Sequence, residues 1–155
     1  MKGDKKIIKH LNTLLADEMS AIDLYFLLSR MFDNWGLAKL KEKFDHEMAD
    51  EQGHASLLIE RILFLEGQPD IEARIPMKVG KDVAEIYRIN LKLELEVAAK
   101  LKKAIADCEA CQDYQSRAVF QKLLSDTEED HILWLETQLG LIDKVGLQNY
   151  LQSQM

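Results

Sequence analysis

Glycine and proline are scarce, with seven and two in 155 residues. An all-β domain turning every ten residues or so would need more of both. The two cysteines, Cys108 and Cys111, lie three positions apart. They cannot build a disulfide framework, which agrees with a reducing compartment. No apolar run approaches the roughly 18 residues of a membrane span, and charged residues interrupt the N-terminus where a secretion signal needs an apolar core. The expectation is a cytoplasmic protein with no membrane partner. Neither common glycine-rich phosphate loop is present, so nucleotide chemistry has no visible support. Positive charge is also short: 20 Lys and Arg stand against 27 Asp and Glu, a formal net charge of −7. That balance opposes nucleic acid as a partner and suits cations.

What is present is long helical periodicity between few breakers. A first helix is expected from Lys5 to Asp33, stopped by Asn34-Trp35-Gly36. A second runs from Leu37 to Glu66, stopped by Gly67-Gln68-Pro69. A third begins at Asp82, with Glu85 three residues on in a capping-box arrangement, and runs to Cys111. A fourth runs from Asp113 to Leu139 and ends near Gly140. Leu147 to Leu151 is a short fifth. The first–second and third–fourth connections are a few residues long, so each pair is an antiparallel hairpin. Gly67 to Lys81 is different: extended, it reaches roughly 50 Å, and a 28-residue helix is roughly 42 Å long. The reading is an all-α four-helix bundle, residues 1–155 as one domain, with one long crossover that sets helices two and three parallel.

Each helix has an apolar stripe that acids or histidines interrupt: Glu18 in the first, Glu47, Glu51 and His54 in the second, Glu94 in the third, Glu128 and His131 in the fourth. Apolar residues resume on both sides. Burying ionised carboxylates without partners costs several kcal/mol or more. Protonation is one compensation. Salt bridging is another, but these positions include no Lys or Arg. A pair of divalent cations is the third, with +4 set against the four carboxylates of Glu18, Glu51, Glu94 and Glu128 and two neutral imidazoles. Glu51-x-x-His54 and Glu128-x-x-His131 each place two ligands on one helix face. Glu18 precedes Glu51 by 33 residues and Glu94 precedes Glu128 by 34. Each hairpin thus supplies one Glu and one Glu-x-x-His, the pattern of a ferritin-like di-metal carboxylate bundle.

At these residues the chain resembles a bacterioferritin along essentially its whole length. Met1-Lys2-Gly3-Asp4, Tyr25-Phe26, Trp35-Gly36-Leu37, the Ile59–Gly67 stretch, Trp134-Leu135-Glu136 and Gly146–Gln152 carry the likeness. The resemblance implies a ferritin-like fold and a ferroxidase that oxidises Fe(II) with dioxygen or peroxide. It also implies storage of ferric mineral inside a 24-subunit shell. Its di-iron centre would be Glu18, Glu51, His54, Glu94, Glu128 and His131, with Glu51 and Glu128 bridging. It implies an inner-surface iron site at His46 and Asp50, which solvent-exposed polar residues would equally explain. Tyr25 is either redox-active or a core tyrosine bonded to a ligand. Glu47 assists iron transfer or sits near a pore.

Two positions depart from the family pattern. Haem-binding members carry Met directly after the first Glu-x-x-His glutamate, and here Gln52 stands there. No haem is expected through this subunit's own ligand, Met48 one turn away notwithstanding. The chain is then a haem-free type, or it co-assembles with a haem-binding sister subunit. Asp126-Thr127-Glu128 holds one residue more than the usual pattern, which predicts a bulge in helix four. The Cys pair, Trp35 and Trp134 read as ordinary helix and packing residues, and His10 as a surface or interfacial one. The apolar tail at Leu147, Tyr150 and Leu151 would be an exposed patch on a lone subunit, and the resemblance implies that in a shell it lines a channel or interface. The competing readings are a DNA-protecting mini-ferritin, opposed by the acidic balance, and a rubrerythrin-like di-iron oxidase or peroxidase, whose Cys-rich domain is missing.

Overall fold

The computed structural model describes residues 1–155. Helix α1 is Lys5–Asn34, α2 is Ala38–Phe64 and α3 is Val83–Cys111. The fourth rod is continuous but uneven: α4 (Tyr114–Ser125), a π-helical turn (Asp126–Ile132), then α5 (Leu133–Val145). Both joints keep right-handed helical backbone. A short α6, Leu147–Ser153, follows.

Short acids start three rods. Asp4 accepts from Lys6 N and Ile7 N, Asp82 from Glu85 N, and Asp113 from Ser116 N. These bonds satisfy amides that the first turn leaves unpaired. The expected capping box is half made, because Glu85 accepts from Lys81 N at 2.7 Å rather than from Asp82. The fourth rod does not stop at Gly140. Ile142 is buried just beyond it, and that packing outweighs the roughly 1 kcal/mol a helical glycine costs. The rod ends at Gly146, whose φ of 81° suits a residue without Cβ.

Contacts between helix ends give the topology. Gly3 N donates to Leu65 O at 3.0 Å, so α1 starts where α2 ends. Lys6 and His10 meet Asp107, at 2.9 and 2.7 Å, so α1 also starts where α3 ends. Helices α2 and α3 are therefore parallel. The crossover is strapped along α1: Asn12 bonds Gln68 O and Asp70 N, Ile75 N donates to Ser20 Oγ at 2.9 Å, and Arg74 pairs with Asp23.

The core is two apolar clusters rather than one. The first gathers Ile7, Leu11, Leu58, Leu101 and Phe120, and the second Phe32, Leu40, Phe44, Tyr87 and Leu135. A polar layer separates them at mid-bundle. The tail corrects an expectation: it is not an exposed patch. Tyr150 is buried, shares a 2.9 Å hydrogen bond with the Tyr87 hydroxyl and donates to Gln138 Oε1. Lys39 ties down the last turn through Gln154 O and Ser153 O. No helix is long and apolar enough to cross a membrane.

Candidate metal centre

The polar layer is built from all four rods. Glu18 comes from α1, Glu51 and His54 from α2, Glu94 from α3 and His131 from the π turn, and each is no more than 6% exposed. Glu51 stands between the two histidines. Its Oε2 is 3.1 Å from His54 Nδ1, and its Oε1 is 3.2 Å from His131 Nδ1. Glu18 Oε2 lies 3.7 Å from the first ring and Glu94 Oε1 lies 3.3 Å from the second. The ring centroids are 6.1 Å apart. Two ligand groups result, Glu18–Glu51–His54 and Glu51–Glu94–His131, each with donor atoms within 4.8 Å of one another. They share Glu51. Carboxylate oxygen with imidazole nitrogen is a donor set for iron or manganese.

The outer ring nitrogens are also partnered. His54 Nε2 faces Asp126 Oδ2 at 3.0 Å, and His131 Nε2 faces Glu47 Oε2 at 2.9 Å. A carboxylate there keeps the proton on Nε2 and presents Nδ1 to a cation. Lys122 and Lys43 pair in turn with Asp126 and Glu47.

Burial opposes a charged ring at both histidines, but the acids prevail. Hydrogen bonds and charge from Glu18 and Glu51 hold His54 at about 11. Glu47, Glu94 and Glu51 hold His131 at about 12. Burial also opposes a charged Glu47, yet His131 and Lys43 bring it to about 2. Glu18 lies below its usual value despite burial, through bonds to Glu51 and His54. Burial, and then the charge of Glu18, push Glu51 well above the carboxylate range. Protons on Glu51 and on both rings therefore offset the buried acids. Those are the protons that divalent cations would displace.

Tyr25 is buried and donates to Glu94 Oε1 at 2.6 Å. It is bonded to a candidate ligand, and burial followed by the Glu94 charge raises its pKa well above its usual value.

Glu128 is where structure and expectation part. Its side chain is 44% exposed and pairs with Lys102 at 2.8 Å, while Thr127 is buried on the inward face. The expected bulge is real and is the reason. An α-helix advances 100° per residue, so i and i+3 share a face. The wider π turn advances less, so Thr127, at i−4 from His131, takes the inward place. Four glutamates are still buried around the histidines, but the fourth is Glu47 rather than Glu128.

Beside His54 and His131 the bundle opens through a space of about 440 Å³, whose rim includes His46, Asp50, Lys122, Asp126 and Asp130. His46 Nε2 and Asp50 Oδ2 are 3.4 Å apart and well exposed. Asp50 also falls within a third ligand group, with Glu47 and His131. Gln52 is exposed, and Met48 is half-buried against the Phe44 cluster. Both cysteines are free, Cys108 buried and Cys111 exposed. Asp126 gave no signal in sequence, because its partner His54 is 72 residues away. Glu47 did give one, as a stripe position one turn before Glu51.

Residues 8–145 match the family model of the ferritin-like domain. A protein of Synechocystis sp. named bacterial ferritin is 58% identical over 155 residues, covering all of this chain and 99% of that one. A bacterial ferritin of Pseudomonas aeruginosa is 49% identical over the full length of both chains. A bacterioferritin of Mycolicibacterium paratuberculosis is 40% identical, over 97% of this chain and 94% of its own.

Proposed function

We propose an iron-storage ferroxidase for this chain, which belongs to the ferritin-like family and there to the bacterial ferritins and bacterioferritins. One observation carries the reading: Glu51 places one carboxylate oxygen against each of two buried histidines. A carboxylate so placed bridges two cations. Glu18 with His54 would hold one Fe(II), and Glu94 with His131 the other. Both ions are substrate. Two Fe(II) give one electron each to the oxidant: with dioxygen and two protons the products are two Fe(III) and hydrogen peroxide, and with peroxide and two protons they are two Fe(III) and two waters.

This chain's residues do the positioning. Asp126 and Glu47 orient the rings, and the Tyr25 hydroxyl fixes one oxygen of Glu94. Glu18, Glu51 and Glu94 set −3 against the +4 of two divalent ions, and the fourth buried glutamate, Glu47, is held by His131 Nε2 and Lys43, so a fourth carboxylate ligand is wanted. By the hairpin repeat it is Glu128, released from Lys102 as the π turn tightens. The acid-rimmed opening passes cations, with His46 and Asp50 as a stopping point at its mouth. Gln52 has no thioether, so haem is not proposed on this chain's own ligand. The shell is proposed as a 24-mer, with or without a haem-binding sister subunit.

The test is aerobic Fe(II) added to apo-protein, with ferric absorbance and particle size followed together. Oxidation, retained iron far above two per chain and a mass of about 430 kDa for twenty-four 17.9 kDa chains are expected. A small oligomer that never holds more than two irons per chain would refute storage. Glu18→Ala combined with His131→Ala is expected to abolish fast oxidation while the protein stays folded; unchanged kinetics would refute the site.

A further inference from the structure

Three side chains of the metal layer are held from outside it. Asp126 faces His54, Glu47 faces His131, and Tyr25 donates to Glu94. Glu18 is different, because its polar partners, Glu51 and His54, are themselves members of the layer. Its direction therefore depends on how α1 is held. Asp17, immediately before it, is 3% exposed and accepts from Lys100 Nζ on α3 with both oxygens, at 2.7 and 2.9 Å. Ser20, two residues after it, is buried; its Oγ donates to Ala16 O and accepts from Ile75 N of the crossover at 2.9 Å. An α-helix turns 100° per residue, so Asp17 and Ser20 stand about 100° and 160° round the rod from Glu18. A rotation of α1 that turned Glu18 away from His54 would break both bonds. Apolar residues of similar size serve a core at least as well as a buried ion pair does. The Asp17–Lys100 pair thus calls for a role beyond stability.

We propose that Asp17, through its two-oxygen ion pair with Lys100, is a positioning residue for Glu18. The pair sets the rotation of α1, so that Glu18 already meets His54 and Glu51 when a cation arrives. Ser20 is the second anchor of the same turn. The inference rests on the two-cation centre proposed above. Neither Asp17 nor Lys100 touches the cation. Their effect is confined to one half of the centre, because Glu94 and His131 stand on α3 and the π turn rather than on α1.

The test is Zn(II) titration of chelated protein carrying Asp17→Leu with Lys100→Met, a replacement that leaves no buried charge unpaired. Asp17→Asn serves as a second variant. Each is read in two backgrounds. With His131→Ala the remaining ligand group is Glu18–Glu51–His54, and the replacement is expected to weaken Zn(II) binding about tenfold. With Glu18→Ala the remaining group is Glu51–Glu94–His131, and no change is expected. An equal loss in both backgrounds would mean a purely structural pair, and it would overturn the proposal, as would no loss in either. Should a background fail to fold, Zn(II)-loaded crystals of Asp17→Asn with the centre intact decide the matter. Lower occupancy beside Glu18 and His54 than beside Glu94 and His131 is expected; equal occupancies, or a deficit in the other half, would overturn it. Wild-type protein that never binds Zn(II) as a pair would instead count against the centre itself, and the proposal would fall with it.

Discussion

His54 and His131 each face carboxylates from both ring nitrogens, and this sets how the centre responds to pH. Both rings have pKa values raised from about 6.5, to about 11 and about 12. Raised values mean that the stabilisation from charging these rings is fully present below about pH 6.5 and is lost as pH rises through about 11 to 12. Chelated apo-protein is therefore expected to unfold at progressively lower guanidinium concentration as pH climbs from 8 towards 11. A flat profile would show the rings neutral. At pH 7 a cation must displace those protons, so Zn(II) binding is expected to release at least about two protons per chain. An indicator dye in weak buffer reads this directly, and the apparent Zn(II) affinity is expected to rise between pH 6 and 8.

At the scale of the element, the π turn Asp126–Ile132 decides which acid faces inward. Thr127 occupies the inward place and Glu128 reaches Lys102 instead. An exposed ion pair contributes little to stability. Glu128→Ala is accordingly expected to change apo-protein stability by under about 0.5 kcal/mol. The same change is expected to weaken binding of the second Zn(II) about tenfold or more, because the fourth carboxylate is gone; undiminished affinity in a calorimetric titration would remove Glu128 from the ligand set. Deleting Thr127 makes the converse test. Without the extra residue the rod can wind as α-helix, in which Glu128, three residues before His131, shares that residue's inward face. Tighter Zn(II) binding with unchanged helical circular dichroism is the expected result.

For the whole molecule, the tail and the surface belong together. Tyr150 seals the end of the Phe32–Tyr87 cluster and is itself hydrogen-bonded. Tyr150→Ala is expected to cost about 3 kcal/mol, measured as a shift in guanidinium midpoint, since it opens a cavity and leaves the Tyr87 hydroxyl unpaired. Large apolar side chains remain outside, among them Phe26, Phe64, Ile71 and Leu133, each more than half exposed. They are available to subunit contacts in the proposed shell, whose assembly the size measurement above checks.

Helix number, order and parallel α2–α3 arrangement were legible in the chain, because few breakers and one long crossover leave little choice. Glu18, Glu51, His54, Glu94 and His131 were legible as inward residues, because helical spacing is a local property. The extra residue before Glu128 was legible too, and with it the bulge. Its consequence was not: which side chain faces inward depends on whether the surplus residue is absorbed as a π turn, and at which position. Only packing of the fourth rod against three others settles that. Asp126 beside His54, Lys100 on Asp17 and the docked tail were likewise decided by tertiary structure. Each joins residues far apart in the chain or turns on packing, which no helical period records. Local sequence determined the faces of the helices, and their packing determined which atoms on those faces meet.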